Sequence, residues 1–221
     1  MQSIIEFITN FVHRPDQIIM QLIQNYGYWI YAILFFIIFA ETGLIVMTFI
    51  MPFVPGDALI FSVGMIAAHD GQNHLHIQYI IPLLLLAAIL GDNVNYFVGK
   101  KFGHWILNQN DSFFLKKKHI DKATDFFNEN GKKAIIIARF MPVVRTIIPF
   151  ICGTTNLNYR TFLSYSVIGA ILWVALISLL GYFLGGFEFV HQHLEKFIFG
   201  IVILANLPLA IRIIKNKLNK A

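Results

Sequence analysis

The stretch AIIIARFMPVVRTIIPFICG, residues 134–153, decides what kind of protein this is. It has the hydrophobicity and the length of a membrane span, which needs about 20 residues. It nevertheless carries Arg139 and Arg145, and an arginine cannot lose its charge in a protein. Each guanidinium costs about 2.5–3.5 kcal/mol at the centre of a bilayer. The pair therefore requires partners inside the protein.

Two prolines, Pro142 and Pro149, interrupt the same stretch. Because proline lacks the backbone N–H that a helix needs, the segment should be broken. A bilayer tolerates broken backbone only where it is buried in protein or lines a wet cavity. The segment therefore predicts an anion site or an ion path. The break at Pro142 would let Arg139 and Arg145 converge.

The composition identifies an integral membrane protein. The chain has 221 residues, of which 57% are hydrophobic and 13% charged, whereas a soluble domain has about 25% charged residues. Nucleic acid is a poor candidate partner, because the lysines cluster beside apolar segments without a recognition motif. One cysteine excludes an intrachain disulfide and a cysteine metal cluster. We predict no metal, no cofactor and no enzyme activity.

The apolar segments predict an all-α membrane protein. Long transmembrane helices are expected at 79–99, 162–187 and 197–214. The apolar run at 28–53 should break near Pro52–Gly56, and the run at 134–152 should break at its prolines. Both are predicted to be re-entrant or discontinuous.

Loop charges predict orientation and boundaries. The amphipathic loop 104–133 and the tail 215–221 are rich in lysine, so the positive-inside rule places both, and hence the C-terminus, in the cytoplasm. Residues 1–25 are predicted to hold a helix lying at the bilayer surface. Residues 26–215 form one membrane domain.

A weak internal repeat is also visible. PFVPGD at 52–57 aligns with PFICGT at 149–154, and AILGDNVNYFVG at 88–99 aligns with AILWVALISLLGYFLG at 170–185 if four residues are gapped. The first repeat spans about 28–103 and the second about 134–190, and their long helices run in opposite directions. Inverted repeats with paired broken segments are typical of transporters, with the substrate site between them near the midplane.

Three acids accompany the arginines: Glu41, Asp57 and Asp92 lie within or beside apolar segments. Three acids and two arginines nearly balance, which favours a shared polar cavity. The surplus acid is the natural proton carrier, because a buried carboxylate can be neutralised by a proton. Glu41 is the first choice.

Each of these residues has a second interpretation. The arginine fork suits a phosphate group, yet both arginines could serve only as structural ion-pair partners of Glu41 and Asp57. Asp57 could instead cap a helix that starts at Ala58. Asp92 could simply hydrogen-bond within close helix packing.

Together these residues resemble the DedA family, over about residues 20–215. The resemblance rests on ordered motifs: Glu41-Thr42-Gly43, Pro55-Gly56-Asp57, Gly91-Asp92 with Tyr96, Gly99 and Gly103, the run from Arg139 through Pro142, Arg145 and Pro149 to Gly153, and Gly169-Ala170 with Trp173 and Gly181-Tyr182.

The resemblance implies a bacterial inner-membrane protein with two inverted re-entrant segments. It implies movement of undecaprenyl phosphate, a similar polyprenyl phosphate or a phospholipid between leaflets, with proton coupling. The family's acidic pair maps onto Glu41 and Asp57, and its arginine pair onto Arg139 and Arg145. Two other functions stay open, a small-ion/proton antiporter and a non-transporting assembly factor. Association into a homo-oligomer is open as well.

Overall fold

A computed structural model describes residues 15–44, 56–69, 75–107, 117–141, 144–185, 187 and 200. The described residues form helices joined by short turns, and no strand occurs among them. The helices are α1 Pro15–Tyr26, α2 Ile30–Gly43, α3 Gly56–His69, α4 Ile77–Leu107, α5 Lys117–Asn130, α6 Ala134–Ala138, α7 Val144–Thr154 and α8 Tyr159–Leu184.

Three stretches are long and apolar enough to cross a membrane: Gln17–Gly43, Ile77–Gly103 and Tyr159–Leu184. The second and third confirm the helices predicted at 79–99 and 162–187. The predicted span 197–214 lies outside the described residues, apart from Gly200. The cytoplasmic side assigned to the loops stays a prediction.

The predicted surface helix at 1–25 is described only from Pro15 onward. There, α1 packs against α3 and buries Ile18 and Ile19. A 3-10 turn at Gly27–Trp29 then leads directly into α2. Its predicted place at the bilayer surface stays a prediction.

The two apolar segments that carry prolines are both interrupted. The helix α2 already ends at Gly43, where Leu44 turns extended, and this is earlier than the break predicted near Pro52–Gly56. The next helix begins at Gly56, and residues 45–55 lie outside the described part of the chain. A re-entrant path for this segment stays a prediction.

In the second segment, α6 ends at Ala138 and α7 begins at Val144, which confirms the predicted interruption. Pro142, to which the break was attributed, falls outside the described residues. Pro149 is buried inside α7 and does not end it.

The two broken segments pack reciprocally against the two long helices. The helix α3 crosses α8, where an added β-carbon on Gly64 would collide with the Ser178 carbonyl, and one on Gly181 with the Phe61 carbonyl. Only glycine permits such backbone approach.

The helix α7 crosses α4 in the same manner. An added β-carbon on Gly99 would collide with the Phe150 carbonyl, and one on Gly153 with the Tyr96 carbonyl. By these contacts Gly153 corresponds to Gly64, and Gly99 to Gly181. The sequence alignment instead paired Gly153 with Gly56, and Gly99 with Gly185, so the contacts follow a different register.

The amphipathic loop contains the helix α5, whose apolar side faces the protein. Ala123 is buried, and Phe126 and Phe127 pack partly against the core around α7. Asp121 and Lys122 are exposed. Those two phenylalanines, which belong to the apolar side of the amphipathic loop, therefore contribute to the core of the domain.

Candidate functional site

Arg145 is the centre of one buried ion cluster. It lies in the first turn of α7 and is only 6% exposed. Its Nη1 donates to Oδ1 of Asp57 at 2.9 Å, and its Nη2 donates to Oε1 of Glu41. Trp173 completes the cluster, because its indole Nε1 donates to the same Asp57 oxygen at 2.9 Å. The guanidinium carbon also lies 5.0 Å from the centre of the indole ring, within range of a cation–π contact.

Two helix ends position these acids. Glu41 is in the last turn of α2, and Asp57 is the second residue of α3. The helix therefore begins before Ala58, and Asp57 is not the cap of a helix that starts there. Gly56 leaves room for the Glu41 carboxylate, since a β-carbon on it would collide with that carboxylate in its present position.

Arg139 is the centre of a second buried cluster. It follows α6, and its Nη2 donates to Oδ2 of Asp92 and, at 3.3 Å, to the hydroxyl of Ser166. The same hydroxyl donates to Oδ2 of Asp92 at 2.5 Å. All three residues are buried. The guanidinium carbon of Arg139 lies 5.9 Å from the ring centre of Trp173, so both arginines reach one indole.

All five charged groups of the predicted site lie in these two buried clusters, but their pairing differs from the one predicted. Glu41 and Asp57 were expected to partner both arginines, but both bind Arg145. Arg139 is paired with Asp92 instead. Asp92 is therefore an ion-pair partner and more than a polar group within helix packing. The predicted convergence of the arginines is confirmed.

A buried amide links three helices beside these clusters. The side chain of Asn95 in α4 donates to the Thr42 carbonyl at 2.6 Å and to the Thr146 carbonyl at 3.4 Å. These carbonyls belong to residues adjacent to Glu41 and Arg145. The amide therefore holds the backbone of both broken segments in place near the acid–arginine pair.

The motif residues around the two clusters, which we expect to support the site, are divided between packing and polar roles. The Tyr96 hydroxyl donates to the Leu157 carbonyl at 2.6 Å, and its ring stacks on Phe162 at 4.6 Å between centroids. Tyr96 thus contributes to the core of the α4–α8 contact. Gly153 and Pro149 also serve packing, on α7.

Two polar members of the clusters were missed by sequence reasoning. Trp173 appeared only as part of a family motif, although a buried indole N–H always needs an acceptor. Ser166 carries no local signal, because a serine within an apolar helix usually bonds its own backbone.

The clusters leave several polar atoms without partners. Among the described residues, Oε2 of Glu41 and the Nε atoms of both arginines are buried with no hydrogen-bond partner. The ionised charges also differ: Arg145 with two carboxylates carries one surplus negative charge, whereas Arg139 with Asp92 is neutral. The site therefore has spare capacity for a proton and for another hydrogen-bonding group.

Comparison with known proteins places this site in a family. The VTT domain matches residues 54–183, which include Asp57, Asp92 and both arginines. This chain belongs to the DedA family. Protein DedA of Escherichia coli is 42% identical over 215 residues, covering 97% of this chain and 96% of that protein.

Further DedA-family relatives share the membrane character. The inner membrane protein YqjA of Escherichia coli is 35% identical over 156 residues, covering 71% of this chain and 68% of its own. An uncharacterized membrane protein of Mycobacterium tuberculosis is 37% identical over 172 residues, covering 78% of this chain and 73% of its own. No solved structure matches the chain. The relatives and the three apolar spans agree that this is a membrane protein.

Proposed function

We propose that this DedA-family protein moves a phosphate-bearing lipid, either undecaprenyl phosphate or a phospholipid, between leaflets of the bacterial inner membrane with proton coupling. One observation carries the proposal. Arg145, a permanent cation, is buried where the two broken segments meet, and it is held by two carboxylates although one would neutralise it.

The chemistry follows from the donors that Arg145 already uses. Its Nη1 and Nη2 each donate to a carboxylate, and the same fork can donate to two oxygens of a phosphate. Phosphate and carboxylates therefore compete for the same N–H groups. A proton on one carboxylate weakens its hold on Arg145, so protonation favours phosphate binding at this position.

Arg139 would supply a second cation beside the phosphate. It shares the ring of Trp173 with Arg145, at 5.9 Å and 5.0 Å from the ring centre. Its charge is balanced by Asp92 in the absence of substrate.

An inverted repeat, which stays a prediction, would support movement of the headgroup, and the arrangement of the long helices is compatible with one. Contacts between α4 and α8 run in opposite order along the two helices, from Asp92 with Ser166 to Tyr96 with Phe162. The long helices are therefore antiparallel, and each packs on the broken segment of the other half. Two broken segments that rearrange against such a frame would let a headgroup cross while its chains stay in lipid.

The test is lipid translocation in proteoliposomes that contain undecaprenyl phosphate, with and without a proton gradient. Wild-type protein should accelerate translocation, and more so with the gradient. Arg145→Lys and Glu41→Gln should each reduce the rate by about tenfold or more, since a charge-assisted hydrogen bond is worth about 1.5–3 kcal/mol. Arg160→Lys, at an exposed arginine, is the matched control and should be as active as the wild type. Full activity in both site variants would overturn the proposal.

A second function, small-ion/proton antiport, is favoured by the surplus negative charge around Arg145. Such a site could take a cation in place of a proton. Cation-dependent proton flux in vesicles that lack polyprenyl phosphate would support antiport, and its absence beside active lipid translocation would exclude it.

A further inference from the structure

The two carboxylates on Arg145 differ in the donors that they accept. Oδ1 of Asp57 accepts two N–H groups, one from Arg145 and one from Trp173, both at 2.9 Å. Glu41 is bonded to Arg145 through Oε1, while its Oε2, which lies against Gly56, accepts from no side-chain donor among the described residues. The two acids therefore have unequal stabilisation of their ionised forms.

The difference has a direct chemical consequence. Each N–H donated to a carboxylate favours the ionised form. The indole N–H is a donor only, so it cannot accept a hydrogen bond from the O–H of a protonated carboxylic acid. A buried carboxylate oxygen with no donor is costly, and protonation relieves that cost.

We infer that Trp173 is a positioning residue that fixes Asp57 as the permanent counterion of Arg145 and leaves Glu41 as the group that takes up and releases the proton. This inference deepens the proposed proton-coupled transport and rests on it for its biological meaning. It assigns unequal roles to two acids that the family resemblance treats as one pair.

The charged surroundings of Glu41 are consistent with this assignment. From α3 and α7 it is faced by Asp57 and Arg145. From α4 comes Asp92, which is neutralised by Arg139. The described side chains of α1, residues 17–26, bring no acidic or basic residue. The surplus negative charge thus lies between Glu41 and Asp57 alone.

Trp173 has two separable functions in this geometry. It is fully buried on α8, and its ring lies against both guanidinium groups. Its N–H acts only on Asp57. Trp173→Phe removes the N–H and keeps an aromatic ring, so it tests the donor without removing the aromatic surface.

The experiment is pH-difference infrared spectroscopy of the full-length protein in phosphatidylcholine vesicles without polyprenyl phosphate. The carbonyl band of a buried, protonated carboxylic acid is measured in protein carrying carboxyl-¹³C glutamate or, separately, carboxyl-¹³C aspartate. In the wild type the band should shift with labelled glutamate and not with labelled aspartate. It should be lost in Glu41→Gln.

Trp173→Phe should add a band that shifts with labelled aspartate, because Asp57 then competes for the proton. Trp29→Phe, at a tryptophan that is 73% exposed, is the matched control and should leave the wild-type band unchanged. A wild-type band that shifts with aspartate would overturn the inference, and so would a Trp173→Phe spectrum identical to that of the wild type. The wild-type labelling decides the assignment even if Trp173→Phe fails to fold.

Failure of this inference is distinguishable from failure of the proposed function. The spectra require no lipid substrate and no transport. An aspartate band in a protein that translocates lipid overturns only the assignment. A glutamate band in a protein without translocation overturns only the proposed function.

Discussion

The two buried arginines have the same chemistry but different surroundings. Arg139 is paired with one carboxylate, that of Asp92, and the Ser166 hydroxyl hydrogen-bonds to both Arg139 and Asp92. Arg145 has two carboxylates and shares one of them with an indole N–H. The first cluster is neutral when ionised, and the second carries one negative charge.

This difference separates a structural pair from a site that can change state. In an apolar environment a hydrogen-bonded pair of opposite charges is neutral, and removing either member leaves an uncompensated charge. A cluster with a surplus carboxylate can gain a proton or lose one carboxylate and still pair its arginine. We therefore expect neutralising the acid of the Arg139 cluster, Asp92, to act first on stability, and neutralising Glu41 of the Arg145 cluster to act first on transport.

The largest effect is expected for Asp92→Asn. The substitution leaves the buried charge of Arg139 unpaired, which should lower the free energy of unfolding by about 3–5 kcal/mol. Thermal unfolding in detergent, followed by circular dichroism, measures the loss. Asp121→Asn, at an exposed acid on α5, is the control and should unfold like the wild type. If Asp92→Asn is as stable as this control, Arg139 does not depend on Asp92.

A smaller loss is expected for Ser166→Ala. The Ser166 hydroxyl bonds both members of the Arg139–Asp92 pair, and a hydrogen bond to a charged group is worth about 1.5–3 kcal/mol. The same unfolding measurement applies. Ser164→Ala is the control on the same helix, because its exposed hydroxyl bonds only the Arg160 carbonyl. Equal stability of the two variants would show that the Ser166 hydroxyl does not stabilise the Arg139–Asp92 pair.

Gly56→Ala should disturb the Arg145 cluster alone. The new methyl group would collide with the Glu41 carboxylate and push it away, at a cost of about 1–3 kcal/mol typical of overpacking. Gly169→Ala is the counterpart beside Arg139, where the methyl would lie 3.1 Å from Cδ of Arg139 and 3.3 Å from Cα of Ile136, without the direct collision found at Gly56. We expect Gly56→Ala to lose stability and lipid translocation, and Gly169→Ala to lose less of both. The reverse order would contradict the described contact between Gly56 and Glu41.

The smallest change in stability is expected for Glu41→Gln. Arg145 keeps Asp57 as its counterion, and the new amide oxygen can still accept from Nη2. The free energy of unfolding should therefore change by less than about 1 kcal/mol, the worth of an ordinary hydrogen bond. This is the same neutralising change as Asp92→Asn, so the two variants form a direct comparison. Equal destabilisation would mean that the clusters do not differ in the way their charges suggest.

Much of the fold was predictable because membrane helices are long and apolar. The residues of α4 and α8 are predominantly apolar over long stretches, and their central spans were predicted at 79–99 and 162–187. The N-terminal start of α8 was less predictable. The helix begins at Tyr159 because Asn158 caps it, its side chain accepting from the Arg160 N–H at 3.0 Å. The end of α2 at Gly43 was not predicted, because the strongest helix-breaking residues, the prolines, come further along the chain.

The candidate site was predictable in its members but not in its pairing. Glu41, Asp57, Asp92, Arg139 and Arg145 are conspicuous because charge is expensive in an apolar segment. Their partners depend on which helices pack against each other, and the hydrophobic pattern of the sequence does not specify that packing. The glycine contacts relate the two halves in a register different from that of the sequence alignment, because these contacts join residues from different halves.

The sequence by itself determined that this is a helical membrane protein with five costly charges, two interrupted segments and a nearly balanced sum of acids and arginines. The cost of burying charge makes those features readable from residue types alone. Only the tertiary structure decided that Arg139 pairs with Asp92, that Arg145 pairs with Glu41 and Asp57, and that Trp173 lies between the clusters. Ion pairs act over a few ångströms, so helix packing selects the partners.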